Sequence, residues 1–256
     1  MSATSGSRGP VAVLSFHRVV NVPQEGHDVA WLRFVEFFDE LAARGTRFRT
    51  ELASVDVLSS AVVATFDDGT ADHLPVAEEL GRRGIGAVFF VSAGRVGMPE
   101  MLGVEDLRRM VAMGHVIGSH GVDHVPLDRL PPDAVAQELK ESKQRLEDII
   151  GGAVSSYAFA GGIFTEHALA LLPSTGYTAA RTMHWGFYRD QRSRWTIPSL
   201  PATELTLQRG WISRAIHDGR LPAAMALTGY GKNLIPRDLR KSARRMIGRV
   251  LATGRS

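Results

Sequence analysis

Short runs rich in β-branched, aromatic and alanine residues alternate with longer segments of helical periodicity through most of the chain. No other feature constrains the fold as strongly. Residues 11–16 read as a strand, and residues 30–43 as a helix with Trp31, Phe34, Val35, Phe38 and Leu41 at helical spacing. Further strands are predicted over 62–66, 87–91, 116–118, 155–160 and 177–180, with helices over 74–83, 105–113, 132–150 and 166–172 between and after them. A βαβα rhythm of this kind predicts a parallel sheet covered by helices, an α/β class. Repeated over most of the chain, it favours a closed β/α barrel over an open sheet. There is no glycine fingerprint of the dinucleotide-binding type, and no internal repeat.

The 256 residues suit one large domain or one domain with a tail. No apolar run approaches the roughly 20 residues needed to cross a bilayer. Residues 1–10 are small, polar and rich in Gly and Ser, and read as a flexible leader. The apolar stretch behind them is too short for a signal-peptide core, so a cytoplasmic protein is expected. The absence of cysteine excludes disulfides, thiolate metal sites and a thiol nucleophile. The net charge of +3 is uneven: residues 232–256 carry +7 and the rest of the chain −4. The chain therefore divides into a leader (1–10), a barrel (11–231) and a basic tail (232–256). The tail reads as a basic amphipathic helix making weak contact with an anionic membrane surface at the inner face, as a solvated terminal helix, or as a disordered end. No groove-reading motif or aromatic interleaving accompanies its charge, so no nucleic-acid partner is expected.

The run AVVATF ends in Asp67, Asp68 and Gly69. In β/α barrels the chemistry sits where strands end. Two adjacent carboxylates become tolerable there if a cation neutralises one, which also keeps the other ionised and available as a base. The plainer reading is a turn or cap, since Asp-Asp-Gly is common in loops. A second segment, GHVIGSHGVDHVPL (114–127), carries His120 and His124 four residues apart. If a helical turn begins after Ser119, with Ser119 as its cap, both imidazoles lie on one face and share an ion. Two surface histidines on a loop are the alternative. One carboxylate and two histidines would leave open positions for water and substrate.

TFDDG, followed about fifty residues later by SHGVDH, resembles the first two motifs of the polysaccharide deacetylases, the NodB-homology or carbohydrate esterase family 4 group. VLSFHRV (13–19) is similar to the first strand of many members, and WTIPSLP (195–201) to the segment that closes the shorter ones. The resemblance implies a distorted (β/α)7 barrel of the NodB-homology type. It implies a hydrolase that removes an N-acetyl or other N-acyl group from an amino sugar with the help of a divalent metal. That metal would be Zn2+, with Co2+, Mn2+ or Ni2+ as alternatives. Carried over residue by residue, Asp68, His120 and His124 would bind the metal and Asp67 would be the general base.

Two departures from the family pattern stand out. The third motif is YAFAGG (157–162), with Ala158 where many members have an arginine that orients the base, and Ala160 where proline is expected. The Gly161 N–H remains able to donate to an oxyanion, because a backbone donor needs no side chain. The late strand that supplies a histidine in the family is missing. His217 continues a helical pattern over 205–216 and reads as a helix end; His17, at the end of the first strand, is the better candidate for a general acid or for holding substrate, with a satisfied structural histidine as the alternative. His184, read as following a strand, would with Trp185 line a sugar pocket by ring stacking, and core packing is the favoured account of Trp185. The substrate expected is a small N-acetylated amino sugar or glycoside, or a lipid-linked sugar. A hydrolase of a non-sugar amide, or a sugar-binding member that has lost turnover, are the competing readings.

Overall fold

The computed structural model describes residues 10–52 and 60–223. Residues 1–9 of the leader and the whole basic tail lie outside the described residues. In chain order the strands are β1 (Val11–Phe16), β2 (Val19–Val20), β3 (Val29–Ala30), β4 (Ala61–Phe66), β5 (Val88–Val91), β6 (Val116–Ser119), β7 (Ser156–Ala158), β8 (Ala179–Trp185) and β9 (Ile197–Pro201). The α-helices are α1 (Trp31–Ala43), α2 (His73–Arg82), α3 (Val104–Ala112), α4 (Pro132–Ile150), α5 (Glu166–Leu171), α6 (Glu204–Gln208) and α7 (Trp211–Asp218).

Seven strands close into a barrel in the order β1-β4-β5-β6-β7-β8-β9, every neighbour parallel. The expected α/β barrel is therefore the observed fold. β1 and β4 are buried along their whole length, as parallel strands covered on both faces must be. They pair from Val11 with Ala61 to Phe16 with Phe66. β9 closes the ring on β1 through Leu14 with Leu200 and Ser15 with Pro201. β2 and β3 form a separate two-stranded sheet. Among the described residues no helix is long and apolar enough to cross a membrane.

Alternation along the strands separates two apolar layers. Ala12, Leu14, Phe16, Val62, Ala64, Phe66 and Phe89 face the helices and pack against Phe34, Phe38, Leu41, Val76 and Leu80. Phe16, Phe66 and Phe89 stack across β1, β4 and β5 with ring centroids 5.0 and 4.8 Å apart. The intervening residues Val11, Val13, Val63, Val88, Phe90, Ala158, Ala179 and Ile197 fill the lumen. A Cβ at Gly118 would come within 2.5 Å of the Phe90 ring, so the missing side chain makes the space that Phe90 occupies. Helix ends follow local chemistry: α4 starts with Pro132 in its first turn and stops at Gly151 in a left-handed conformation (φ 66°).

Three local readings need correction. β8 runs on to Trp185, so His184 and Trp185 lie within the strand rather than after it. The predicted helix over 205–216 is two helices, α6 and α7, broken at Gly210 (φ 60°). The segment after Ser119 is not a helical turn but a loop, with Gly121 at φ 84° and His124 at φ 60°.

Beneath β6, buried His115 uses both ring nitrogens in its neutral form. Nδ1 accepts the Ala87 N–H at 3.2 Å and Nε2 donates to the Ala77 carbonyl at 2.9 Å. Burial lowers its pKa, and the Ala77 carbonyl only partly offsets that. Such an imidazole contributes stability that is fully present above its unfolded value, about 6.5, and lost as pH falls through the folded value. The melting advantage of the wild type over His115→Gln should therefore narrow between about pH 7.5 and pH 5. Thermal melts at several pH values test this, and an advantage that grows toward acid contradicts it.

Candidate metal centre and base

The same alternation that fills the lumen with valines carries polar groups to its rim. Continuing the inward positions of β1, β4 and β6 past the last apolar residue reaches His17, Asp67 and His120. Asp67 and His120 are each only 2% exposed, so both sit inside the barrel mouth. Asp68 would point outward by simple alternation, but its φ of 81° turns it back over the rim, and Gly69 follows at φ 80°. Positive φ is uncommon outside glycine. Among the described non-glycine residues only Asp68, Glu100 and His124 adopt it, and two of these three meet at the site.

Asp68, His120 and His124 each offer a ligand atom, and these atoms all lie within 4.8 Å of one another. Nε2 of His124 is 3.0 Å and Nε2 of His120 is 3.4 Å from Asp68 Oδ1. His120 Nδ1 lies 2.8 Å from the Ala158 carbonyl. That carbonyl can only accept, so Nδ1 carries the proton and Nε2 presents its lone pair to the site. Asp68 Oδ1 is buried and takes no hydrogen bond of good geometry, although both imidazoles approach it. A carboxylate oxygen faced by two ring nitrogens and satisfied by neither is the donor set that a shared cation fits. Burial favours a neutral Asp68, but the contacts with His120 and His124 outweigh it and hold the carboxyl far below its ordinary value. Burial likewise opposes a charged His120, and the Asp68 and Asp67 carboxylates overcome that and raise its pKa.

Asp67 has a partner that the sequence reading missed. Arg181, on β8 and 1% exposed, places Nη2 2.5 and 2.6 Å from the two Asp67 oxygens. Its Nη1 reaches Met183 Sδ at 3.2 Å and Ser199 Oγ at 3.4 Å, and its guanidinium lies over the Phe90 ring, 5.2 Å from the centroid. Burial pushes the Asp67 carboxyl up, but Arg181 foremost, with His17 and His120, outweighs it and keeps the group below its usual range. Ala158 itself cannot orient the base, as the sequence indicated, but a guanidinium reaches Asp67 from another strand. Ala158 pairs directly with Arg181 across the β7–β8 ladder, so the guanidinium enters the same layer of the lumen from the next strand. An arginine directly after the strand predicted over 177–180, two residues after Ala179 and so on the same face, was the available signal.

The other singled-out residues surround this centre unevenly. His17 Nε2 is 3.9 Å from Asp67 Oδ2, with a quarter of the side chain exposed. Burial lowers its pKa against the pull of Asp67 and Asp68. Buried His73 holds the backbone there, with Nε2 2.5 Å from the His17 carbonyl. Gly161 is exposed, in a turn after β7 at φ 63°. His184 is exposed and its ring meets Phe164 at 5.5 Å, whereas Trp185 is half-buried against the helix-facing layer. His217 ends α7, away from the rim.

A model described as polysaccharide deacetylase matches residues 55–180. A chitooligosaccharide deacetylase of Bradyrhizobium sp. (strain ANU 289) is 30% identical over 168 residues, 63% of this chain and 72% of that protein. One of Rhizobium leguminosarum bv. trifolii is 25% identical over 164 residues, 63% and 73% of the two chains. The chain spans less of another relative, from Bacillus subtilis (strain 168), covering 47% of its length at 30% identity. Among solved structures, IcaB from Ammonifex degensii superposes with a TM-score of 0.72 at 25% identity, over 79% of this chain and 96% of that one. The Streptococcus pyogenes deacetylase PplD, in complex with acetate, shares the fold with a TM-score of 0.72 at 18% identity, over 77% and 94%. With the barrel, the paired aspartates at the end of β4 and the sequence matches in agreement, the chain belongs to the polysaccharide deacetylase family.

Proposed function

We propose that the protein is a metal-dependent hydrolase that removes an N-acetyl group from an amino sugar, small glycoside or lipid-linked sugar. The observation that carries this reading is the side-by-side arrangement of two differently committed carboxylates: Asp68 turned toward two imidazoles, and Asp67 held ionised by Arg181 beside it. Asp68 Oδ1, His120 Nε2 and His124 Nε2 would hold the cation, with Zn2+ best matched to two imidazoles and one carboxylate. A cation bound there supplies Lewis-acid polarisation of the amide carbonyl and a water of lowered pKa.

The chain's own groups then have separate tasks. Asp67 accepts the proton of the attacking water, and its ionised state at neutral pH suits it to that role. Arg181 fixes which way that carboxylate faces. His17, 3.9 Å from Asp67 Oδ2, delivers a proton to the departing amine nitrogen. The first N–H groups of a short turn have no partner within it, and the Gly161 N–H would donate to the carbonyl oxygen as it gains charge. His184 with Phe164 offers ring faces for a sugar at the rim, whereas Trp185 packs against the core. The intact Asp67–Arg181 pair argues against a member that only binds sugar, because a binder has no use for an oriented buried base.

The test measures bound metal and free-amine release from a panel of N-acetylated amino sugars, glycosides, lipid-linked sugars and non-sugar amides. Chelation should abolish amine release and Zn2+ should restore it, and Asp68→Ala and His120→Ala should retain neither metal nor turnover. Amine release that survives chelation refutes the metal reading. Turnover confined to non-sugar amides refutes the sugar.

A further inference from the structure

The loop that carries His120 and His124 is held from outside by one face of α4. Glu138 and Ser142 lie four residues apart on that helix, so they share a face. Glu138 Oε1 accepts the Val122 N–H at 2.7 Å, midway between the two histidines. Ser142 Oγ receives the Ser119 hydroxyl at 2.9 Å, and Ser119 Oγ in turn accepts the Gly121 N–H at 3.2 Å. Ser142 is itself fixed by the Leu139 carbonyl and the Tyr177 hydroxyl, at 3.2 Å each. From the opposite side, Ala93 N–H donates to the Gly121 carbonyl at 2.9 Å and Gly94 N–H to the Val122 carbonyl at 2.8 Å. The approach of Glu138 is close: a Cβ on Gly121 would lie 2.9 Å from Oε1, at a φ of 84° that disfavours any side chain.

The loop therefore has no regular structure of its own and takes its shape from these clamps. We infer that Glu138 is a positioning residue for the cation, setting the separation of the His120 and His124 ring nitrogens through its hydrogen bond to Val122. This rests on the metal reading above. Without that bond, the loop leading into the left-handed turn at His124 keeps the Arg95 contact with the Asp123 carbonyl (2.9 Å) but loses its clamp from α4, and the second imidazole is freer to swing away from Asp68. Partners that orient ligands in this way are worth about 10- to 100-fold in metal affinity.

Two conservative substitutions separate reach from charge. Glu138→Gln keeps an oxygen at the same distance and removes the charge. Glu138→Asp keeps the charge and withdraws the oxygen by one methylene. Zn2+ affinity is measured by competition with a chromophoric chelator, and the melting temperature of each metal-free protein is taken in parallel. Glu138→Gln should bind within about threefold of the wild type, whereas Glu138→Asp should bind about 10- to 100-fold more weakly. Metal-free melting should differ little between the two. Equal weakening in both variants, weakening in the Gln variant alone, or no weakening in the Asp variant overturns the inference. If the wild type itself binds no Zn2+, the metal reading falls and takes this inference with it. If the wild type binds and Glu138→Asp binds equally, only the role of Glu138 falls.

Discussion

Asp67→Asn should lower amine release by about 10²- to 10⁴-fold, the range expected for loss of a general base, while bound metal persists. The neighbouring substitution, Asp68→Asn, should instead lose the metal. The two aspartates are adjacent in sequence but face different partners. Asp68 faces His120 and His124, and Asp67 faces Arg181 and His17. An asparagine at 67 cannot take a proton from water, yet its carbonyl oxygen still accepts from the Arg181 guanidinium, so the barrel should remain folded. Metal content, circular dichroism and amine release on the same preparations separate the outcomes. An Asp67→Asn protein within a few-fold of wild-type turnover, or one that has lost its metal, would sink the division of labour proposed here.

Removing the guanidinium should lower stability. Arg181→Met leaves the Asp67 carboxylate buried without its main counter-charge, and breaking a buried pair in this way costs about 3–5 kcal/mol. In a domain of this size that lowers the melting temperature by about 10 °C. Both partners are at most 2% exposed, so solvent screening offers no discount. Turnover should fall as well, because the carboxylate is then free to rotate or to pick up a proton. Rescue distinguishes a lost position from a lost charge. Ala158 and Arg181 are direct neighbours across the β7–β8 ladder, so Ala158→Arg combined with Arg181→Ala returns a guanidinium to the same layer. That double variant should recover part of both the melting temperature and the turnover. A stable, fully active Arg181→Met protein would show that the ion pair contributes to neither.

Much of the barrel was legible because parallel strands covered on both faces leave continuous apolar runs, of which VAVLSF and AVVATF are the plainest. The end of β8 was not. Arg181, Thr182 and His184 look like the start of a loop, but the first two are buried by the lumen and by neighbouring strands. β2 and β3, two residues each, are too short for any periodicity to register. The pairing of Asp68 with His120 and His124 was implied by the family resemblance of the two motifs, whereas the way the chain achieves it was not. A four-residue separation fits a helical turn, and only the clamps from α4 and from residues 93–94 show why a loop forms instead. Arg181 escaped notice for a related reason. Its importance depends on which strand lies beside β7, and lateral neighbours are invisible along a linear chain.

The direct facing of residues 158 and 181 also bears on how function is inventoried across such chains. One positive charge can be delivered to a single point in space from either of two addresses on adjoining rungs. Any tally that scores each alignment column independently would mark position 158 as a loss and overlook the compensating gain twenty-three places downstream. Counting charges by layer of the cylinder, rather than by motif, would keep active members from being filed as degenerate ones.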